Sequence, residues 1–331
     1  MTMQAAINTQ YGSPDVLRLS HVERPEIGPD QILVQVRAST VTEGDRRLRA
    51  ADYPGLSALM GRLVTGLFRP RHAVGGSTFA GQVVAVGAQV TRFEVGDDVF
   101  GSTMHGAYAE YLALGSADAV ATMPRELSYT EAAAIPYGGG TALTFLKGMA
   151  QLQAGERVLI VGASGGVGRM AVQLAKYMGA HVTGVCSGDA ELVRQLGADA
   201  IIDYKHEDFL QRGETWDVIF DATEGNHFRA FRSVLSPAGR YLTLYMSLRV
   251  LLQMLWTRLI GGQRALTGVA LGGAESSEEL RAWVERRAFR PVIAARYPLA
   301  QTGEAHRFFE TARPHGTIVI EIDQDLGVSP H

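Results

Sequence analysis

Val158-Leu159-Ile160-Val161-Gly162-Ala163-Ser164-Gly165-Gly166-Val167-Gly168 is the stretch whose reading decides the fold of this chain. An apolar, β-branched run ends in a glycine-rich turn. The turn opens into a helical pattern in which Val167, Met170, Ala171, Leu174, Ala175 and Met178 recur at helical spacing. Glycines let a backbone turn tightly and approach a pyrophosphate, whose charge is met by free amides and the positive end of the helix dipole. A second apolar stretch, 181–186, follows directly and completes a strand–helix–strand unit. The whole reads as the phosphate-binding corner of a dinucleotide fold.

Outward from this corner the alternation continues. Strands are predicted at 158–161, 181–186, 200–202, 218–221 and 240–244, with helices at 166–178, 189–196, near 205–211 and at 226–235. Strands alternating with helices give a parallel, doubly wound sheet. Upstream the pattern is period-two, at 31–37, 82–86 and 107–112, joined by Gly, Pro and Asp turns, which predicts a compact β-rich domain. Segment 48–74, with Arg62, Arg69 and Arg71, follows neither period. An Ala-rich helix is predicted over 130–135, broken by Pro136-Tyr137-Gly138-Gly139-Gly140, with a second helix over 141–149. The tail predicts a helix at 303–311 and a last strand at 317–322 that can return to the first domain.

Composition narrows the function classes. A chain of 331 residues is long enough for two domains, each with its own core. A net charge of −3, a pI near 6.3 and dispersed Lys and Arg leave no basic field for nucleic acid, so no nucleic-acid partner is expected. The single cysteine, Cys186, excludes an internal disulfide and any multi-cysteine metal site, which fits a reducing compartment. Residues 1–22 lack a secretory pattern, and a cytoplasmic location is expected. Segment 241–260 is rich in Leu, Met and Trp but carries Arg249 and Arg258. A charge near the centre of a membrane helix costs about 2.5–3.5 kcal/mol, so no membrane span is expected there. A buried helix, a pocket lid or a subunit contact is the better reading.

Taken in order, the motifs resemble the medium-chain dehydrogenase/reductase superfamily, in its zinc-independent, quinone-oxidoreductase-like branch. Tyr11-Gly12-Ser13-Pro14-Asp15-Val16-Leu17, the run from Gly76-Ser77-Thr78-Phe79-Ala80-Gly81 to Gly87, and Val95-Gly96-Asp97-Asp98-Val99-Phe100-Gly101 carry the first half. Ala132-Ala133-Ala134-Ile135-Pro136-Tyr137 with Thr141-Ala142-Leu143, the glycine corner, Leu196-Gly197-Ala198-Asp199 and Ile202-Asp203-Tyr204 carry the second. The resemblance implies an α/β chain of two domains. A GroES-like β-rich domain spans 1–126 and is completed by 275–331, and a Rossmann domain with a doubly wound parallel sheet spans 127–274. It also implies a nicotinamide cofactor.

The zinc enzymes of that family need thiolate and imidazole donors in a tetrahedral shell. Where they carry a cysteine, this chain reads Thr40-Val41-Thr42-Glu43-Gly44-Asp45, and where they carry Gly-His-Glu it reads Gly76-Ser77-Thr78. The four-cysteine lobe is missing and the nine histidines show no paired spacing. No metal is expected.

An NAD-specific site places an acid at the end of the second strand to hold the ribose hydroxyls. Here that end is Cys186-Ser187-Gly188, neutral and small, with Asp189 beside it. By resemblance Ser187, Tyr204 and Lys205 point to NADPH rather than NADH, although Asp189 opposes a phosphate unless it points away. Carried over by position, the cofactor set is Thr141, Gly162, Ser164, Gly165, Gly166, Val167, Ser187, Tyr204, Lys205, Ala222, Thr223, Leu244, Tyr245, Gly316 and Thr317, with Arg313 a further phosphate contact. Thr141 reads equally as the N-cap of a helix.

The resemblance implies hydride transfer to a quinone or to an activated enone or enoyl double bond. Such chemistry asks the protein for orientation and one or two donors to the developing oxyanion. The catalytic candidates are Thr42, at the family's usual asparagine position, and Tyr53. Two other readings stand beside this one: a metal-free carbonyl or alcohol oxidoreductase, and a non-catalytic NADPH-binding regulatory protein. A homodimer is expected, formed through an edge strand at 265–270 with Leu251, Leu255 and Trp256 nearby.

Overall fold

The computed structural model describes residues 1–53, 57–270, 272–312 and 314–322. The chain divides into two compact units, one built from 1–53, 58–137 and the segment from 272 onward, the other from 138–270.

In the first unit the long strand Gln31–Val41 organises the sheet by changing partners along its length. Its first half pairs with Tyr111–Gly115 and its second half with Thr317–Glu321, while Thr78–Val86 runs antiparallel along its other edge. The register shifts after Leu33 and after Val36 bend the strand so that it can serve both partners. The sheet continues through Asp98–Ser102 to Val120–Thr122 at one end and to Ile293–Pro298 at the other. Inward-facing Ile32, Val34, Val36, Phe79, Val83, Leu112, Ile318 and Ile320 form one buried cluster, each fully buried large side chain contributing ~1.5–3 kcal/mol. The tail strand thus completes the β-rich unit, as its sequence pattern predicts. Helix Tyr129–Ala133 packs on Gln31–Val41 and Thr78–Val86, so the break between the units falls after Tyr137 rather than after residue 126.

The second unit is a six-stranded sheet in which every described pair is parallel. Numbered within this unit, its spatial order is 3-2-1-4-5-6: Ala200–Asp203, His181–Cys186, Arg157–Val161, Trp216–Asp221, Leu235–Thr243 and Arg264–Thr267. This is the doubly wound dinucleotide-binding order, with the switch point beside Arg157–Val161. Val158, Leu159 and Ile160 are wholly buried, as a strand covered on both faces must be.

Several local expectations change. The helix break falls earlier than Pro136-Tyr137-Gly138-Gly139-Gly140: helix Tyr129–Ala133 ends before Ala134 and Ile135, and a new helix, Pro136–Ala142, runs into a wider turn, Leu143–Met149. Proline at a first helical position is well tolerated. Gly138 is needed for close approach, since a Cβ there would stand 2.9 Å from the Gly166 carbonyl and the Met170 side chain. Of the helix expected near 205–211 only the short turn Phe209–Gln211 forms, and 226–235 yields Phe228–Phe231 and a tight turn, Arg232–Val234. The strand expected at 240–244 begins earlier, at Leu235, and the edge strand stops at Thr267 instead of reaching residue 270. Segment 48–74 contains the end of helix Glu43–Ala50 and helix Ser57–Thr65. Helix Leu248–Ile260 accounts for the apolar segment, and no helix among the described residues is long and apolar enough to cross a membrane.

Candidate cofactor site

Strand Arg157–Val161 delivers the chain into Gly162, whose φ of +81° only glycine adopts readily. The Gly162 and Ala163 amides both donate to Val185 O at 3.0 Å, tying the corner to the next strand. Helix Gly166–Tyr177 then starts with Gly165 at its N-cap, a residue with no side chain to accept from the first-turn amides. A Cβ at Gly166 would meet nothing within 4 Å, so the approach to this helix end is open. Amides, dipole and room are the requirements of a pyrophosphate, and the corner fits a dinucleotide. Val167 is buried and can offer only its backbone. The Ser164 carbonyl accepts from Arg169 Nη1 at 2.9 Å.

Arg169 is a residue that the sequence reading missed. It is 4% exposed, in the first turn beneath the corner, and burial lowers its pKa while the Asp189 carboxylate acts against that shift. The signal was present in the sequence: Arg169 is a lone cation among the apolar positions Val167, Met170 and Ala171. Asp189 thus acts on a cation of its own unit.

At the carboxyl ends of the strands the expected residues gather along one edge of the sheet. Ser187 and Gly188 follow His181–Cys186, and the Tyr204 amide reaches Cys186 O at 3.4 Å from the neighbouring strand. Tyr204 and Lys205 are exposed there. The Asp203 carboxyl accepts from the Lys205 amide at 3.0 Å and from His206 Nδ1 at 3.0 Å, which together hold it below its ordinary value. Ala222 and Thr223 leave Trp216–Asp221 against the corner, with Thr223 Cγ2 2.8 Å from where a Cβ on Gly162 would sit. Thr223 is itself fixed, since its hydroxyl donates to Asp221 Oδ1 at 2.7 Å. Asp221 is wholly buried and burial raises its pKa, while the Tyr241 hydroxyl donates to Oδ2 at 2.8 Å. Leu244 and Tyr245 lie at the end of the next strand, held by the Leu244 amide on Asp221 O and the Tyr245 amide on Thr243 Oγ1. Thr141 lies inside helix Pro136–Ala142 and is no N-cap. It stands three residues after Gly138, on the face that meets the corner.

The remaining candidates belong to the first unit. Gly316 leads into Thr317–Glu321, and the Thr317 amide donates to Val292 O at 2.6 Å. Arg313 lies outside the described residues. Thr42 caps helix Glu43–Ala50: its hydroxyl accepts from the Asp45 amide at 3.1 Å and donates to Asp45 Oδ2 at 2.6 Å. It is 6% exposed and its proton is committed, which removes it as a free donor. Ser77 Oγ lies 3.3 Å from Thr42 Oγ1, so two hydroxyls meet at the start of helix Glu43–Ala50. Tyr53 is half-buried, with its hydroxyl 2.9 Å from Thr65 Oγ1, which itself donates to Gly61 O.

Comparison with known proteins agrees with this geometry. Residues 28–125 match the family model described as an alcohol dehydrogenase GroES-like domain, and residues 196–320 match one described as a zinc-binding dehydrogenase. The chain is 31% identical over 333 residues to a 2-methylene-furan-3-one reductase of Solanum lycopersicum, covering 96% of this chain and 79% of that protein. The chain belongs to the medium-chain dehydrogenase/reductase superfamily, in the quinone-oxidoreductase-like branch. Another member of this superfamily, a chloroplastic quinone-oxidoreductase homolog of Spinacia oleracea, is 30% identical over 324 residues, 94% of this chain and 95% of that one. Among solved structures, the quinone oxidoreductase from Coxiella burnetii superposes with a TM-score of 0.83 at 26% identity, covering 98% of this chain and all of that one.

Proposed function

We propose that this chain is an NADPH-dependent, metal-independent reductase of quinones or of activated enone or enoyl double bonds. The observation that carries the reading is the open glycine corner, with Ser187, Tyr204, Thr223 and Tyr245 gathered on the same sheet edge, in a chain of the quinone-oxidoreductase-like branch. Bound NADPH supplies the hydride. The protein holds the pyrophosphate at the first-turn amides of Gly166–Tyr177 and leaves the adenosine end to the neutral Ser187 corner. The electrostatic attraction between Asp189 and the buried Arg169 supports NADPH over NADH, because a carboxylate partly offset by a nearby cation is less able to repel a 2′-phosphate.

Metal independence is supported by the donor chemistry. Thr42 and Ser77 offer neutral hydroxyls, poor ligands for zinc, and no group of three or more His, Cys, Asp or Glu among the described residues is placed to hold a metal. With the Thr42 proton committed to Asp45 and the Tyr53 hydroxyl held on Thr65, solvent protonates the reduced oxygen or carbon.

We also place a homodimer interface at Arg264–Thr267 and helix Leu248–Ile260. The strand is an edge, and Leu248, Leu252, Leu255, Trp256, Leu259 and Ile260 stand exposed on a helix packed against it. A lone cysteine, buried and free, supports a cytoplasmic setting.

An NADPH-consumption screen across quinones, enones and aldehydes, with products identified, tests the activity. Saturated ketones or quinols are expected. Turnover of aldehydes with enone double bonds left intact would replace the proposal with carbonyl reduction, and tight NADPH binding with no turnover would replace it with a regulatory role.

A further inference from the structure

A cavity of about 260 Å³ lies within the first unit, beside helices Glu43–Ala50 and Thr302–Ala312. Leu48 and Val74 belong to its apolar walls, and Arg49, Tyr108 and His306 form a polar floor. These three are 3%, 1% and 1% exposed.

Their hydrogen bonds leave a defined deficit. The Tyr108 hydroxyl donates its one proton to Thr40 O at 3.0 Å, so its 3.1 Å contact with His306 Nε2 requires the ring nitrogen to be the donor. Nδ1 is then a bare lone pair, buried and without a hydrogen-bond partner. The ring stays neutral, since burial and the neighbouring Arg49 push its pKa down to about 3. Arg49 gives Nη2 to Glu310, while its buried Nε and Nη1 have no partner. Two acceptors, His306 Nδ1 and Asp45 Oδ1, and two donors, Arg49 Nε and Nη1, are thus left unmet in one cavity. Buried polar groups are rarely left so.

We propose that this cavity is a binding site for a small neutral molecule that carries a hydroxyl on an apolar ring or chain, the hydroxyl donating to His306 Nδ1 and accepting from Arg49. A hydroxyl is the smallest organic group that answers both needs. A carbonyl would serve Arg49 and leave Nδ1 bare. A carboxylate would meet the Asp45 carboxyl in the same cavity, opposite an arginine already paired with Glu310. The volume exceeds the ~150 Å³ of an apolar cavity that admits benzene, so one ring with a substituent fits.

The test is calorimetric titration of the intact chain, without cofactor, with phenol, benzene and benzoate. Phenol is expected to bind about tenfold or more tightly than benzene, the difference made by the hydroxyl's buried hydrogen bonds, and more tightly than benzoate. Val64 lines the cavity yet is 58% exposed, so Val64→Trp closes the space from outside the core and should abolish phenol binding in a folded chain. His306→Leu should erase the advantage of phenol over benzene. Equal affinity for phenol and benzene, tighter binding of benzoate, no binding of phenol, or unchanged binding in Val64→Trp would each overturn the proposal. Because neither cofactor nor turnover enters the readout, the result is independent of the reductase activity.

Discussion

A Cβ on Gly168 would stand 2.0 Å from the carbonyl oxygen of Gly162, whereas one on Gly166, two residues earlier, would meet nothing within 4 Å. The two glycines of the corner should therefore fail in different ways. Gly168→Ala forces backbone apart and is expected to cost about 1–3 kcal/mol of stability, visible as a lowered Tm. Gly166→Val should leave Tm nearly unchanged while filling the space before the helix end, weakening NADPH about tenfold or more. Thermal melts and dissociation constants on both variants check this, and equal cofactor affinity in a folded Gly166→Val would remove the phosphate from the corner.

NADPH should bind more tightly than NADH. The Cys186-Ser187-Gly188 corner offers no acid for the ribose, and Lys205 stands exposed beside it. Lys205→Ala should weaken NADPH several-fold without affecting NADH, the loss of one charge-assisted contact. Ser187→Asp should reverse the preference. A tenfold preference of the natural chain for NADH would refute this and point to Asp189 as the ribose ligand.

Activity should survive chelation. The Thr42 and Ser77 hydroxyls, 3.3 Å apart, are neutral oxygens and poor ligands for zinc. Metal analysis of the purified chain and assays after treatment with a strong chelator decide the point; stoichiometric zinc whose removal abolishes turnover would reverse it.

Stability should be acid-sensitive through His306. Its folded pKa is depressed from 6.5 to about 3, so below about pH 6.5 the unfolded chain takes up a proton that the folded chain does not. Stability is lost as pH falls across that window, by up to ~5 kcal/mol at its acid end. Asp45 acts in the opposite sense. Burial raises its carboxyl from 3.8 to about 6, so between these values the folded chain holds the extra proton and stability rises as pH falls. Urea unfolding from pH 7 to pH 4 should show a flatter acid loss in His306→Gln and a steeper one in Asp45→Asn.

The exposed stripe on Leu248–Ile260 should hold two copies together. Leu252→Glu with Leu259→Glu places charges on residues 58% and 77% exposed, which a free monomer would tolerate. Light scattering at micromolar concentration should give a dimer for the natural chain and a monomer for the double variant. A natural chain that is already monomeric would end the idea.

Local periodicity determined much of this protein. The run at 158–168 fixed the strand, the corner and the helix because β-branched residues, glycines and helical spacing each act over a few neighbours. The tail strand at 317–321 was equally legible from its alternation, and Ser187 and Thr223 could be placed at strand ends because a parallel sheet puts all such ends on one edge. Tertiary structure decided the rest. Gly138 to Gly140 read as a break, yet they lie in a helix, and Gly138 is there because Gly166 and Met170 approach it too closely for a side chain. Thr42 read as a donor, yet its proton goes to Asp45 in a cap that closes only when the helix forms. The group of Arg49, Tyr108 and His306 was silent in the sequence, because burial, tautomer and an unmet hydrogen bond are properties of the neighbours that folding supplies, and those neighbours lie as far off as residue 108 is from residue 306.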